Sequence, residues 1–276
     1  MHKDSTVNLS VLMSIYIKEK PEYVRECFDS LLNQTVKANE WIVVEDGPLT
    51  EDMYHILDEY QSKYPGLIVR VPLKKNQGLG LALKEGVQHC SNELIARMDT
   101  DDICVPDRFE KELAEFSDDP DLDICGSYIM EFEGSKDNIL SERKVPLTNQ
   151  EIIYYQKRRS AFNHMTVMYK KSSVLRAGNY EHAPLMEDDM LWTRMILAGC
   201  KGKNIEKVLV YARTGIDMIM RRGGWSYFKK YKTSRKKVYN LGLASYWDYL
   251  VTIYIQFFVA LMPKRMRLFI FTKLLR

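Results

Sequence analysis

A chain of 276 residues with 46% hydrophobic side chains has room for one large α/β domain plus an appendage, and it can bury a substantial core, which excludes a disordered polymer. The formal charge of +3 conceals a split: residues 1–217 carry a net −9, whereas residues 218–276 hold thirteen Lys/Arg against one acid, Asp248, for a net +12. An acidic body with a basic, aromatic-rich tail points to an anionic surface as the tail's partner. Cys27, Cys90, Cys104, Cys125 and Cys200 are scattered without Cys-x-x-Cys spacing, which argues against a disulfide framework or a zinc site. The start, MHKDSTVNLS, has no apolar signal segment, so the body is expected in the cytosol.

Leu9–Ile15 reads as a first strand, and Pro21 opens a helix in which Val24, Cys27, Phe28, Leu31 and Leu32 recur at helical spacing. Trp41–Val44 is a second strand, ending in Glu45-Asp46-Gly47-Pro48. A helix through Met53, Ile56, Leu57 and Tyr60 follows, stops at Pro65-Gly66, and gives way to a third strand, Leu67–Val71. Asn76-Gln77-Gly78-Leu79-Gly80 leads into a short helix to about Gln88, and Leu94, Ile95, Ala96 and Met98 mark a buried fourth strand. Mostly apolar strands alternating with helices predict a parallel sheet covered on its faces.

The second half changes character. Asp123–Phe132 is a strand, Thr148-Asn149-Gln150-Glu151 is a capping box, and Met165–Tyr169 reads as a further strand. Glu187–Ala198 is a helix stopped by Gly199 and Gly202, and Val208–Tyr211 is the last strand of the body. From Trp225 the chain is helical, basic and aromatic. Tyr249–Met262 is an apolar stretch of fourteen residues broken by Thr252 and Gln256, shorter than the roughly 20 needed to span a bilayer. Followed by Pro263-Lys264-Arg265 and MRLFIFTKLLR, it has the composition of helices lying in a membrane interface, with packing on the body as the alternative. The expected organisation is a body over 1–217 and a tail over 218–276.

The fourth strand delivers Asp99, Asp101 and Asp102 to the carboxyl edge of the sheet, where ligands of open α/β sheets bind. Like charges this close repel one another, and a divalent cation or a proton relieves the repulsion. A hard cation held by one or two carboxylates shares its other positions with substrate phosphates, which makes a nucleotide diphosphate the natural partner. An acidic turn capping the helix that starts near Pro106 is the structural alternative. Ser14-Ile15-Tyr16, Glu45-Asp46-Gly47 and Asn76-Gln77-Gly78 fall at neighbouring strand ends and can line the same crevice, although each alone is ordinary turn chemistry.

The ordered set SVLMSIY, VEDG, NQGLGLALKEG, ARMDTDD with Pro106 and Arg108, and MEDDMLWTR resembles family 2 of the inverting glycosyltransferases over roughly residues 7–215. Within that family the likeness is to bacterial enzymes that build capsular, exopolysaccharide or O-antigen repeat units. The resemblance implies an α/β GT-A fold, a central, mostly parallel sheet with helices on both faces, here with a C-terminal helical appendage. It implies that Ser14–Tyr16 wraps the nucleoside and that Asp46 bonds the nucleobase, with Glu45 keeping the charge of the turn. Asn76 and Gly78 would shape the same pocket. Asp99 would reach the ribose or metal, Asp101 would coordinate Mn²⁺ or Mg²⁺ on the diphosphate, and Arg97 would add a charge contact. Asp188, in Glu187-Asp188, matches the general base.

The implied reaction moves one sugar from a nucleotide donor, expected to be a UDP-sugar, to a lipid-linked saccharide at the inner membrane face. One carboxylate takes the acceptor's proton and no covalent enzyme intermediate is required. Ile17 stands where the family often has Asn, EDGP replaces the common DDGS, and Met190 replaces an acid often found two residues after the base. Arg221 and Arg222 beside Gly223-Gly224-Trp225 suggest a mobile loop that folds over a diphosphate. RRGGW is weakly similar to the Q-x-x-R-W element of processive synthases but lacks its Gln, so non-processive transfer is expected. His164 falls where such enzymes have an acceptor-side loop, with a structural role favoured. The competing readings are an inactive nucleotide- or glycan-binding relative docked on the membrane, and an aspartyl-nucleophile phosphatase, which also uses D-x-D after a strand. Membrane is the expected partner of the basic tail and nucleic acid is not, although nucleic-acid binding by residues 218–276 is a minor alternative.

Overall fold

The computed structural model describes residues 5–183, 185–215, 223–263 and 266. Its strands are β1 (Ser5–Ile15), β2 (Val36–Glu45), β3 (Ile68–Pro72), β4 (Leu94–Arg97), β5 (Ile103–Cys104), β6 (Leu122–Phe132), β7 (Ile139–Arg143), β8 (Met168–Lys170) and β9 (Lys201–Arg213). The body helices are α1 (Pro21–Leu32), α2 (Glu51–Lys63), α3 (Leu79–His89), α4 (Arg108–Asp118), α5 (Asn149–Gln156), α6 (Lys171–Arg176) and α7 (Glu187–Leu197). A C-terminal hairpin of α8 (Trp225–Asn240) and α9 (Tyr246–Leu261) follows.

The period of two in β1 and β2 builds both cores at once. Leu9, Val11, Met13 and Ile15, with Trp41 and Val43, face a core completed by α1, α2 and α4. Leu12, Ile42 and Val44 face the opposite core, closed by α3, α5, α6 and α7. Strands covered on both sides need apolar residues at nearly every position, as these have.

All nine strands join one sheet in the order β3-β2-β1-β4-β8-β6-β9-β5, with β7 on β6. The first four are parallel neighbours, as the alternation of strands and helices predicts. Farther along, the sheet is mixed: β8 runs antiparallel between β4 and β6, whereas β6 and β9 are parallel. Strand direction leaves no mark in the apolar pattern of a three-residue segment, and β8 could be oriented only by its neighbours. The strand expected at Met165–Tyr169 is shortened because His164–Thr166 is a 3₁₀ turn, held by Thr166 Oγ1 donating to the Asn163 carbonyl at 2.8 Å. Two-residue β5, the half-polar edge strand β7 and the six-residue α6 were not foreseen.

The hairpin packs on the body. Val238 and Tyr231 of α8, with Leu241 at its C-terminal cap, meet Ala183, Met186 and Met190 around the start of α7, and Asp248 of α9 accepts from Arg158 Nε at 2.7 Å. The expected division at 217/218 lies outside the described residues.

One backbone contact brings the β2 end to the loop before α3. Gly47 has φ +88°, and a Cβ there would lie 2.6 Å from the Asn76 backbone nitrogen. Gly66 has a similar φ of +83° but open space around it. Gly47→Ala should therefore cost more than about 1 kcal/mol in urea unfolding, and more than Gly66→Ala, which carries the backbone strain without the collision.

Candidate active site

Four polar segments meet at the carboxyl edge of the parallel strands. Asp46, buried just beyond β2, accepts from the backbone nitrogens of Gln77 at 2.7 Å and Gly78 at 3.0 Å, while Asn76 Nδ2 donates to the Asp46 carbonyl at 3.1 Å. Its carboxylate therefore folds the 76–78 loop onto the end of β2, and any bond to a nucleobase must use its remaining lone pairs. Glu45, also buried, is paired with Arg70 Nε at 2.5 Å, and Arg70 reaches Asp58 at 2.6 Å. Glu45 thus ties β2 to β3 rather than standing open to a ligand. Ser14 is half-buried at the end of β1, its carbonyl facing Thr100 Oγ1 at 3.5 Å, and Tyr16 is 40% exposed just beyond it.

The turn after β4 gathers Asp99, Asp101 and Asp102, each offering a carboxylate oxygen within 4.8 Å of the others'. Burial and the charges of Asp99 and Glu19 push Asp101 up to about 7. Burial, Asp101 and Asp99 likewise raise Asp102, whose Oδ1 accepts from the Arg213 backbone nitrogen at 2.7 Å. Asp102 Oδ2 has no hydrogen-bond partner among the described residues. Arg97 is 1% exposed and pairs through Nη2 with Asp99, while its Nε and Nη1 find no partner among the described residues. Three clustered carboxylates offer hard oxygen donors that suit a cation such as Mn²⁺ or Mg²⁺.

The acidic start of α7 opens onto the same cleft. Glu187 is raised chiefly by burial, and it feels both the Arg97 guanidinium and the Asp99 carboxylate. Gly80 makes the approach possible, since a Cβ there would lie 2.9 Å from Glu187 Cβ and would collide with the Glu181 carbonyl. Asp188 is half-buried, and burial with the charges of Asp189 and Glu187 pushes it up to about 8. Of the opposing effects expected at this helix N-terminus, burial and like charge act to raise the carboxyl. His164 makes a 3.0 Å contact between Nε2 and Tyr180 Oη, stacks edge-on with Trp192, and is held well below its ordinary pKa by burial and by Arg97. It belongs to this aromatic packing. Arg221 and Arg222 lie outside the described residues.

The sequence profile of glycosyl transferase family 2 matches residues 10–182. The chain belongs to glycosyl transferase family 2. As a family 2 member it is a glycosyltransferase, which displaces the phosphatase reading. It is similar to the amylovoran biosynthesis glycosyltransferase AmsE of Erwinia amylovora, 40% identical over 85% of each chain. An Escherichia coli relative named UDP-Gal:alpha-D-GlcNAc-diphosphoundecaprenol beta-1,3-galactosyltransferase is 36% identical over 99% of this chain and 98% of its own. A solved structure of the mannosyltransferase PcManGT from Pyrobaculum calidifontis, in complex with GDP-Man and Mn²⁺, aligns with a TM-score of 0.62 at 13% identity, covering 95% of this chain and 72% of that one. That likeness concerns the fold, which is GT-A.

Several residues around the family 2 cleft were not singled out from sequence. Glu19, in the β1–α1 loop, feels Asp99 and bonds Thr100, and Arg143 of β7 faces Asp188 and Asp189. Nothing in their local sequence marks either one. Arg213 braces the acidic turn: Nε donates to the Asp101 carbonyl at 3.0 Å, Nη1 to the Gly134 carbonyl at 2.6 Å, and the guanidinium lies 3.8 Å from the Tyr23 ring. Arg108, quoted only as part of a motif, is wholly buried behind β4, with Nη2 on the Arg97 carbonyl at 2.9 Å and Nε on Glu112 at 3.0 Å. Removing one partner of a buried pair strands the other. Arg108→Ala should therefore cost about 3–5 kcal/mol by denaturant unfolding, whereas Arg108→Met with Glu112→Leu should recover most of the loss.

Proposed function

We propose that the protein is a metal-dependent inverting glycosyltransferase that moves one sugar from a nucleotide donor, a UDP-sugar, to a hydroxyl of a lipid-linked glycan in surface polysaccharide biosynthesis. The observation that carries this assignment is the shared cleft: Glu187, at the head of α7, feels both Arg97 and Asp99, so the acidic turn and the start of α7 act on one space. The Escherichia coli relative, matched over nearly its whole length, is named for transfer from UDP-Gal to a diphosphoundecaprenol-linked GlcNAc and supports the donor and acceptor classes, and AmsE supports the polysaccharide setting.

Asp99 and Asp101 would hold the cation, with Asp102 steadying the turn behind them. A Mn²⁺ or Mg²⁺ ion bound there would neutralise the charge left on the departing nucleotide diphosphate. The chain's own residues do the rest. Asp46 fixes the Asn76–Gly78 loop, which with Ser14 and Tyr16 forms the nucleoside wall, and Glu45 stiffens that wall through Arg70. Arg97 aims Asp99 into the cleft. Asp188 accepts the proton of the acceptor hydroxyl as its oxygen bonds to the anomeric carbon and the bond from that carbon to the diphosphate breaks, which inverts the centre. A base titrating near the working pH is suited to this transfer. Arg221 and Arg222 are proposed to meet the diphosphate from the segment before α8.

Asp188→Asn should lower metal-dependent UDP release by about 10²–10⁴-fold, with UDP affinity by calorimetry unchanged; loss of both, or of neither, would count against the base. Only the ionised carboxylate accepts a proton. With Asp188 near 8, kcat should rise with pH through that region and fall about tenfold per unit below it.

The hairpin supplies the peripheral membrane contact at the inner face. No helix among the described residues is long and apolar enough to cross a membrane. In α9 the polar Asp248, Thr252 and Gln256 are buried, while Trp247, Tyr254, Phe258 and Leu261 are 59–72% exposed. This is the reverse of an ordinary surface helix, and it lies beside the exposed Lys229, Lys230, Lys232, Lys236 and Lys237 of α8. An apolar stripe flanked by bases matches an anionic bilayer surface. The intact chain should sediment with phosphatidylserine vesicles, and the triple change Trp247→Ser, Phe258→Ser, Leu261→Ser should release it; unchanged sedimentation would refute docking through α9.

A further inference from the structure

The bases of α8 divide into two sets. The five lysines named above point to solvent, but Arg235, on the same helix, is 1% exposed. Its Nη2 donates to the Lys157 carbonyl, and its Nη1 lies 4.0 Å from Asp189 Oδ2. The other oxygen of Asp189 accepts from Gln156 Nε2 at 2.8 Å. Asp189 is therefore gripped from two elements, one of them belonging to the C-terminal hairpin. A helix that had only to cover the body could do so with the apolar contacts of Val238 and Tyr231. Burying a guanidinium is costly unless it meets a partner, and this one meets the neighbour of the proposed base.

We propose that Arg235 is a positioning residue for sugar transfer: from the hairpin it holds Asp189, and through Asp189 it sets the charge and orientation of Asp188. The inference rests on Asp188 as the base. The groups facing Asp188 are Glu187 and Asp189 from its own helix, Arg143 from β7 and Tyr180 from the segment after α6. Those facing Asp189 are Arg235 and Tyr231 from α8, Gln156 and Ser160 at the end of α5 and beyond, and Arg143. Among these, Asp189 is the strongest charge raising Asp188, and Arg235 is the strongest charge opposing the ionic cost at Asp189. Arg235 thus reaches the base at one remove, without touching a substrate.

The test compares kcat–pH profiles of the full chain and four variants, using UDP release from a UDP-sugar with Mn²⁺. Arg235→Met should lower kcat at neutral pH about tenfold and move the acid limb to higher pH, with UDP affinity unchanged; Arg235→Lys should restore part of the rate. Asp189→Asn, which keeps shape and removes charge, should move the limb to lower pH, and Arg235→Met in that background should move it no further. Wild-type kcat and limb in Arg235→Met would overturn the proposal. So would equal loss of rate and UDP affinity in both Arg235 variants, the mark of a brace alone. If Arg235→Met does not fold, an unmoved limb in Asp189→Asn is itself decisive against it. Should Asp188→Asn retain turnover, the base assignment fails. Should Asp188→Asn be inactive while Asp189→Asn leaves the limb in place, only the role of Arg235 fails.

Discussion

Three carboxylates crowded into one turn at the end of β4 repel one another, and much of the surrounding structure holds them in place despite that repulsion. Arg97 pairs with Asp99 from beneath, Arg213 takes Asp102 with its backbone and the Asp101 carbonyl with its side chain, and Arg108 grips the Arg97 carbonyl from the core. Burial, and after it the mutual repulsion of the carboxylates, raises Asp101 and Asp102 together, which is the setting in which a hard cation would be stabilising.

The same logic extends across the cleft. At the head of α7, Glu187, Asp188 and Asp189 form a second crowded group, but its members have different surroundings. Glu187 faces Arg97, Asp189 is bound by Gln156 and approached by Arg235, and Asp188, buried between two acidic neighbours, is pushed up to about 8. Neighbouring acids of one type acquire separate roles through the partners that other elements bring to them. The tight contact at Gly80 is what lets α3 and α7 approach closely enough for this division.

Much of this was legible in the chain itself. Strand alternation in β1 and β2, the capping box at Thr148 and the helical spacing in α1 reflect local rules, and they survive folding intact. The D-x-D turn was placed at the sheet edge by parallel topology, whereas the Glu-Asp pair was joined to it only through the family resemblance. Glu45 and Asp46 looked like ligand groups, but they serve first to fasten β3 and the 76–78 loop, because Arg70 and two backbone nitrogens reach them only in three dimensions. Arg143, Glu19 and Arg235 carried no local signal, since their importance is a matter of distance across elements. The inverted face of α9 was half visible: Thr252 and Gln256 read as interruptions of an apolar stretch, whereas in the fold they mark the side that meets the protein.

That inversion has a geometric corollary. Asp248 of α9 pairs with Arg158 beyond α5, and Arg235 of α8 lies 4.0 Å from Asp189 at the head of α7, so polar contacts from both helices of the hairpin reach the body. Were the apolar stripe of α9 to rest on lipid as proposed, these contacts would set the height of the cleft above the headgroups. Under that proposal an acceptor would be selected by reach as well as by recognition.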